Sequence, residues 1–245
     1  MRQLGLVLLL CGVALGLLGF CRQPAEDSRF VTYRLNPERQ SLQLFYQDNH
    51  GVRFGSIKRL KDWLAQRHQT LLFATNGGMY SPGGVPKGLF IQGQKLVTLL
   101  DTASGAGNFY LKPNGVFYLT TSQRAGICAT ERFRVGPGIA YATQSEPLLV
   151  LHGRLNPAFT PGSANKVVRS GVGLLPTGEV VFAISREKVN FYDFAAYFKR
   201  LGCRDALYLD GFVSRLYLPA QHWQQTDGDF GVIIGVAASG HLGIN

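Results

Sequence analysis

Residues 191–211, FYDFAAYFKRLGCRDALYLDG, decide the fold class because they place a helix directly before a buried strand. Residues 191–201 predict a helix, and Gly202 suits the left-handed conformation in which many helices end. The apolar residues 206–209 predict a buried strand that ends at Asp210. The chain therefore combines helices and strands.

The rest of the chain contains many strand patterns and one further convincing helix. Residues 57–67 are amphipathic, and Ser56 can cap them. Strands are predicted at residues 30–35, 42–46, 71–74, 88–92, 95–100, 116–120, 148–151, 172–175, 180–185 and 231–237. There is no repeat and no linker, so we expect a single α+β domain on a mixed, largely antiparallel β-sheet with a few flanking helices.

The N-terminus predicts export. Arg2 is followed by an apolar run over residues 4–20, the layout of a secretory signal, so residues 1–21 are interpreted as an export or lipoprotein signal. A run of this length is near the lower limit for crossing a bilayer, so an uncleaved anchor stays open. Cys21 stands where a lipoprotein is acylated, but the bulky Phe20 before it is atypical. We expect the protein to be located in the periplasm or cell envelope, with any membrane contact made through this segment.

The charge balance narrows the class of partner. The formal net charge is +10, and removal of residues 1–21 takes away only Arg2, which leaves about +9 for the chain that contains the predicted domain, residues 28–245. A basic surface outside the cytoplasm favours anionic envelope glycans or sugar phosphates. No zinc-finger spacing or concentrated basic run is present, so nucleic acid is not expected as a partner. The oligomeric state stays open.

Two cysteines lie beyond the export segment. Cys128 and Cys203 form an even pair, and an oxidising compartment favours a disulfide between them. Two separately buried thiols are the alternative.

Polar residues at the ends of buried strands are the candidate site residues, because a rigid sheet can direct them into one cleft. The strand at residues 71–74 leads into Asn76, Gly77 and Gly78. Glycines permit close backbone approach, so their amides can face a ligand, and Asn76 offers both a donor and an acceptor. An ordinary turn is the alternative.

Two carboxyl groups also lie near the ends of predicted strands. Asp210 comes directly after four apolar residues, so partial desolvation can make it an acid or a base. Glu146 is a second carboxyl group near a strand end, and such pairs cleave glycosidic bonds. Arg169, followed by Ser170, can bind a phosphate in bidentate fashion. Each alone is equally consistent with a turn or a surface ion pair.

Metal and nucleophile motifs are not found. The histidines lack metal-ligand spacing, and no nucleophile elbow or nucleotide-binding loop occurs. No cofactor is expected. The need for a divalent metal stays open, because Asp210 and Glu146 could bind one.

Four segments in this order resemble the phosphodiester glycosidase family: FATNGGMY, QSEPLLV, RSGVGLLPTGEVVFAIS, and LGCRDALYLDG with a serine shortly after. The resemblance implies an exported hydrolase that cleaves a sugar-1-phosphodiester or a related envelope glycan. It implies Asp210 and Glu146 as catalytic residues. The substrate-binding residues that it implies are Asn76, Gly77, Gly78, Arg169, Ser170, Gly211 and Ser214.

One position departs from the family pattern. Phe212 stands where many members have a second glycine, so the substrate cannot be copied from other members. The alternative function is a non-catalytic envelope module that binds anionic glycans in the same cleft.

Overall fold

The computed structural model describes residues 27–103, 105, 112–210 and 213–239. Among these residues are the helices α1 (Ile57–Ala65) and α2 (Phe191–Arg200). The strands are β1 (Phe30–Leu35), β2 (Leu42–Phe45), β3 (Gln69–Asn76), β4 (Tyr80–Ser81), β5 (Val85–Pro86), β6 (Phe90–Gln92), β7 (Lys95–Thr98), β8 (Gly115–Thr120), β9 (Ala125–Ala129), β10 (Ile139–Ser145), β11 (Leu148–Leu151), β12 (Arg154–Leu155), β13 (Ser170–Leu174), β14 (Val180–Ser185), β15 (Asp205–Tyr208), β16 (Leu216–Leu218), β17 (Trp223–Gln224) and β18 (Ile233–Ser239). Within this part of the chain, no helix is both long and apolar enough to span a membrane.

The strands form three sheets and a two-stranded ribbon. The six-stranded sheet has the order β1-β14-β13-β15-β11-β12, and the two five-stranded sheets have the orders β7-β6-β10-β8-β9 and β17-β16-β3-β18-β2. Every strand pairing among the described residues is antiparallel. The predicted α+β class with a single domain is confirmed, with three antiparallel sheets in place of one mixed sheet.

One hydrophobic core joins the three sheets. It contains Phe182 of the six-stranded sheet, Phe73 and Ile234 of one five-stranded sheet, and Phe117 of the other. On β14, alternate residues face this core, and the residues between them face a second cluster. Both faces of β14 are therefore covered, which explains why its sequence is continuously apolar.

Helix α2 covers the outer face of the six-stranded sheet. The Asn190 side chain caps it by accepting a hydrogen bond from the Asp193 amide at 2.8 Å, and Gly202 has the predicted positive φ of 85°. A Cβ atom on Gly173 of β13 would lie 2.7 Å from the Phe198 ring. Only glycine permits the helix to pack this closely on the strand.

The predicted disulfide is not formed, because Cys128 and Cys203 are both free. They pack in different hydrophobic clusters: Cys203 lies in the cluster under α2, and Cys128 lies against a separate cluster that includes Phe133. Burial raises the pKa of Cys203 to about 12, so its thiol stays protonated and unreactive.

Candidate active site

The Asn76 side chain joins two of the sheets at the end of β3. It is only 1% exposed, and its amide nitrogen donates to the Asp210 carbonyl oxygen at 3.0 Å. Its amide oxygen accepts from the Ser170 hydroxyl at 3.1 Å and from the Arg215 backbone amide at 3.2 Å. Asn76 therefore uses both its donor and its acceptor to hold neighbouring segments in place.

Two serines complete the surroundings of the Asp210 carbonyl. The Ser214 hydroxyl donates to it at 2.7 Å, and the Ser170 oxygen lies 3.3 Å from it. A hydroxyl has one hydrogen, and the contact from Ser170 to Asn76 is the shorter of its two. Asn76 and Ser214 are therefore the principal donors to Asp210, and the backbone at Asp210 is fixed by side chains from two other segments.

The carboxyl group of Asp210 lies near the phenol of Tyr80. Burial raises the pKa of Tyr80, and the negative charges of Asp210 and Asp229 raise it further. Tyr80 therefore remains a neutral hydrogen-bond donor beside Asp210. The motif containing Tyr80 was recognised in the sequence, but its proximity to Asp210 follows only from the packing of the strands.

Glu146 lies in the short connection between β10 and β11. The hydroxyl of Ser145 donates to the Leu209 carbonyl at 2.6 Å, and the Tyr208 amide donates to the Pro147 carbonyl at 3.1 Å. The residues on both sides of Glu146 are thus bonded to the backbone just before the other candidate carboxyl group. The structure brings the two segments together, as the sequence predicts.

The Glu146 carboxyl group is fully buried, and burial raises its pKa to about 8. Asn114 and the positive charge of Lys87 oppose this rise, whereas Asp101 adds to it. Neither carboxyl oxygen meets full hydrogen-bond geometry with a described residue. Glu146 therefore holds a proton at neutral pH, and the sequence gave no signal for Asn114 or Lys87.

The two glycines after Asn76 are required by close packing. A Cβ atom on Gly77 would lie 2.6 Å from Val232, and one on Gly78 would lie 2.4 Å from the Gln144 carbonyl oxygen. The Gly77 amide donates to the Val232 carbonyl at 2.7 Å. This amide is therefore used within the fold, and the contact of Gly77 and Gly78 with substrate stays a prediction.

Arg169 occupies a different environment from the predicted phosphate clamp. It is only 1% exposed, and its guanidinium group donates to the carbonyls of Val189 at 2.9 Å and Asn165 at 3.0 Å. The guanidinium carbon lies 3.6 Å from the centre of the Phe191 ring, and Tyr208 also bonds to the group. In this structure Arg169 holds the loop and helix around the site.

The remaining predicted site residue, Gly211, lies outside the described residues. Within the described ranges, no three histidine, cysteine, aspartate or glutamate residues are close enough together to hold a metal ion. The two carboxyl groups of the site are those of Asp210, which is half-buried, and Glu146, which is fully buried, and they lie on adjoining segments. Such a pair can supply one proton acceptor and one proton donor.

Comparisons with known proteins show the family to which the chain belongs. The model of the phosphodiester glycosidase family matches residues 69–232. The Escherichia coli (strain K12) protein YigE, described as uncharacterized, is 36% identical over 196 residues, which cover 79% of this chain and 76% of YigE.

Two solved structures share the fold. One is the zebrafish N-acetylglucosamine-1-phosphodiester alpha-N-acetylglucosaminidase catalytic domain, auto-inhibited by its pro-peptide, with a TM-score of 0.59 and 12% identity over 87% of this chain and 85% of that one. The other is a hypothetical protein from Synechocystis, with a TM-score of 0.55 and 14% identity over 85% of this chain and 59% of that one.

These findings define the class as a hydrolase of the glycosidase type. The chain belongs to the phosphodiester glycosidase family, which confirms the resemblance read from the four sequence segments.

Proposed function

We propose that this protein hydrolyses the bond between the anomeric carbon of a sugar and the oxygen of a phosphodiester. The observation that carries the proposal is the buried Glu146, whose raised pKa keeps it protonated beside the segment that bears Asp210. Two carboxyl groups in different environments can act as acid and base in one reaction.

In the proposed reaction, the bond between the anomeric carbon and the bridging oxygen breaks, and its electron pair stays on that oxygen. Glu146 supplies the proton that the departing oxygen takes. A water oxygen forms the new bond to the anomeric carbon, and Asp210 accepts the proton that this water loses. The products are a free sugar and a phosphate monoester, and a proton returns from Asp210 to Glu146 through solvent.

Charge and family support an anionic substrate. The formal net charge of +10 attracts phosphorylated material, and the zebrafish protein of the same fold is named for a phosphodiester-linked sugar. Lys87 and Lys112 both lie close enough to Glu146 for their charges to lower its pKa. They are the cations that we assign to the phosphate, in place of Arg169.

We further propose that the protein works in the cell envelope, because residues 1–21 have the layout of an export signal. Acylation at Cys21 would tether it to a membrane. Mass spectrometry of the protein extracted from the producing cells tests this proposal. A protein that has lost residues 1–20, or one that retains them as a membrane anchor, would support export, and a diacylated peptide that begins at Cys21 would show the tether. A cytoplasmic protein that retains Met1 would contradict export.

The function is tested with α-N-acetylglucosamine 1-(methyl phosphate), by measuring the released sugar. The wild type should release sugar, with activity that declines as the pH rises through about 8 and Glu146 loses its proton. Glu146→Gln and Asp210→Asn should each lower kcat by about 100-fold or more.

The matched control is Asp62→Asn, which changes an exposed carboxyl group on α1. It should retain the wild-type rate. No sugar release by the wild type, or full activity in Asp210→Asn, would overturn the proposed hydrolysis. Binding of the intact phosphodiester without turnover would instead support the non-catalytic module.

A further inference from the structure

Two adjoining cavities form a groove next to the segment that follows Glu146. The first has a volume of about 210 Å³ and is lined by Pro147, the residue after Glu146. The second has a volume of about 480 Å³. Both are lined by Asn156, and they also adjoin at Lys112 in the first and Pro113 in the second. A ligand that contacts Asn156 can therefore extend along both.

The first cavity has the character of a sugar site. Phe159 and Phe191 stack within it, with ring centres 5.1 Å apart and planes 8° from parallel. Thr160 and Ser163 bring hydroxyl groups to its lining. Hydroxyls pair with the polar groups of a sugar ring, and the aromatic side chains add apolar surface for its C–H groups. Because Arg169 packs on Phe191, this wall is fixed before any ligand arrives.

The second cavity has a different lining. Leu151, Leu155 and Pro157 provide apolar surface. The charged or polar side chains are those of Arg154, His152 and Asn156. Arg154 and His152 are exposed. This combination suits a carbon chain that follows a negatively charged group better than it suits a second sugar.

Lys112 lies where the two cavities meet. It lines the first cavity, its neighbour Pro113 lines the second, and its charge is near enough to act on Glu146. A phosphate at Lys112 would place its sugar on one side, in the aromatic cavity. Its other substituent would then enter the apolar cavity.

We propose that the leaving group of the substrate is an alkyl phosphate, with its phosphate at Lys112 and its carbon chain in the cavity lined by Leu151 and Leu155. This inference rests on the proposed function and adds the chemical class of the leaving group. The substrate is then a sugar linked through phosphate to a lipid-like alcohol. The hydrolysis itself is unchanged, and the second product is the alkyl phosphate monoester.

The volumes and linings support this assignment. The first cavity is smaller than the roughly 300 Å³ at which sites for larger ligands begin, so it suits one sugar ring. The second is large enough for a short run of methylene groups. Each methylene that leaves water in such a cavity favours binding by about fourfold.

The test compares binding of hexyl phosphate and methyl phosphate to the full-length protein by calorimetry. Hexyl phosphate should bind at least tenfold more tightly, because part of its chain is buried. Leu155→Gln should remove most of this preference while leaving methyl phosphate binding unchanged. Lys112→Gln should weaken both ligands and reduce the dependence of binding on salt concentration.

Matched controls change the same residue types on β7, away from the groove. Leu96→Gln and Lys95→Gln alter exposed residues and should bind both ligands as the wild type does. If Leu155→Gln does not fold, Leu155→Ala serves in its place, with the native circular dichroism spectrum as the criterion.

Equal affinity for the two phosphates, or a hexyl preference that survives substitution of Leu155, would overturn the alkyl assignment. These measurements need no turnover, so they are independent of the proposed hydrolysis. Sugar release that depends on Asp210 together with equal binding of both phosphates would refute the alkyl site alone. A Leu155-dependent hexyl preference without sugar release would refute the hydrolysis alone.

Discussion

At the scale of single residues, the two carboxyl groups differ because their surroundings differ. Glu146 is fully buried, and burial moves its pKa to about 8. Asp210 is only half-buried and lies at a strand end among polar side chains. In the proposed reaction, the same chemical group therefore serves as a proton donor in one position and as a proton acceptor in the other.

The first prediction concerns Glu146 and stability. Its native pKa is raised, so between about pH 4.5 and 8 the folded protein binds a proton that the unfolded chain releases. The free energy of unfolding should therefore fall as the pH rises through this window, by at most about 1.4 kcal/mol per pH unit from this group. Urea unfolding at several pH values measures the slope.

Glu146→Gln should remove this contribution, because the amide does not titrate. Glu131→Gln, at an exposed position, is the matched control and should keep the wild-type slope. Parallel pH profiles for the wild type and Glu146→Gln would contradict the raised pKa.

The second prediction concerns Gly78. Glycine has no side chain, so the chain can pass close to the Gln144 carbonyl oxygen at this position. A Cβ atom on residue 78 would lie only 2.4 Å from that oxygen. Gly78→Ala should cost about 1–3 kcal/mol of unfolding free energy, because backbone must move to admit the methyl group. It should also lower kcat by shifting the loop away from β10. Thermal unfolding and sugar release measure the two effects.

Gly136→Ala is the control for Gly78→Ala. No atom lies within 4 Å of its notional Cβ atom, and Gly136 has no positive φ. Its stability should stay within about 0.5 kcal/mol of the wild type. An equal loss in both variants would show that the close contact at Gly78 is not the cause.

At the scale of elements, local patterns predicted some structure and missed the rest. Ser56 and Gly202 were predicted at helix ends, where capping depends on near neighbours in sequence. Strands β9 and β16 were missed because Ala125–Ala129 and Leu216–Leu218 are too short or too mixed to show alternation. Strand β9 pairs with β8, the strand directly before it, whereas β16 pairs with β3, which is distant in sequence.

The same distinction explains the site. Asn76, Ser170 and Asp210 were identified because each lies at the end of an apolar strand. Arg169 was misinterpreted because its partners, Asn165 and Val189, are brought to it by a loop and a helix start that the local sequence does not specify.

The third prediction concerns the start of α2. Asn190→Ala removes the side chain that accepts from the Asp193 amide, which should cost about 1–2 kcal/mol of unfolding free energy. It should also raise KM, because the next residue, Phe191, forms the wall of the first cavity. Denaturant unfolding and steady-state kinetics give the two values.

Ser56→Ala is the matched cap substitution on α1, far from the groove. Ser56 accepts from the Arg59 amide at 3.3 Å. Ser56→Ala should lower the free energy of unfolding by about 1 kcal/mol and leave KM unchanged. A rise in KM of the same size in both variants would mean that general destabilisation explains the effect.

At the scale of the whole molecule, the site depends on contacts among all three sheets. Asn76 belongs to one five-stranded sheet, Ser145 to the other, and Ser170 to the six-stranded sheet. The order of strands within these sheets is determined by pairings between distant segments, such as β1 with β14. The patterns along the chain could therefore predict the α+β class, but they could not predict which strands meet.

The fourth prediction concerns the cysteines of the folded protein. Cys128 and Cys203 should both be alkylated after denaturation without reductant, because no disulfide joins them. In the native protein Cys203 should react far more slowly than after denaturation, since it is 3% exposed and its pKa is raised to about 12. Mass spectrometry of the two peptides measures both. A peptide pair linked by a disulfide before reduction would contradict this.

The contacts on the Asp210 carbonyl bear on which nearby residues could change without moving Asp210. Asn76 and Ser214 hold the peptide oxygen of this residue from separate segments. The position of Asp210 thus depends on one side chain far away in sequence and on one only four residues further on. Relatives that keep Asn76 and Ser214 could therefore differ at the positions between Asp210 and Ser214, including position 212, and still hold Asp210 in place. In the proposed reaction, substrate choice could then change without a change in the chemistry.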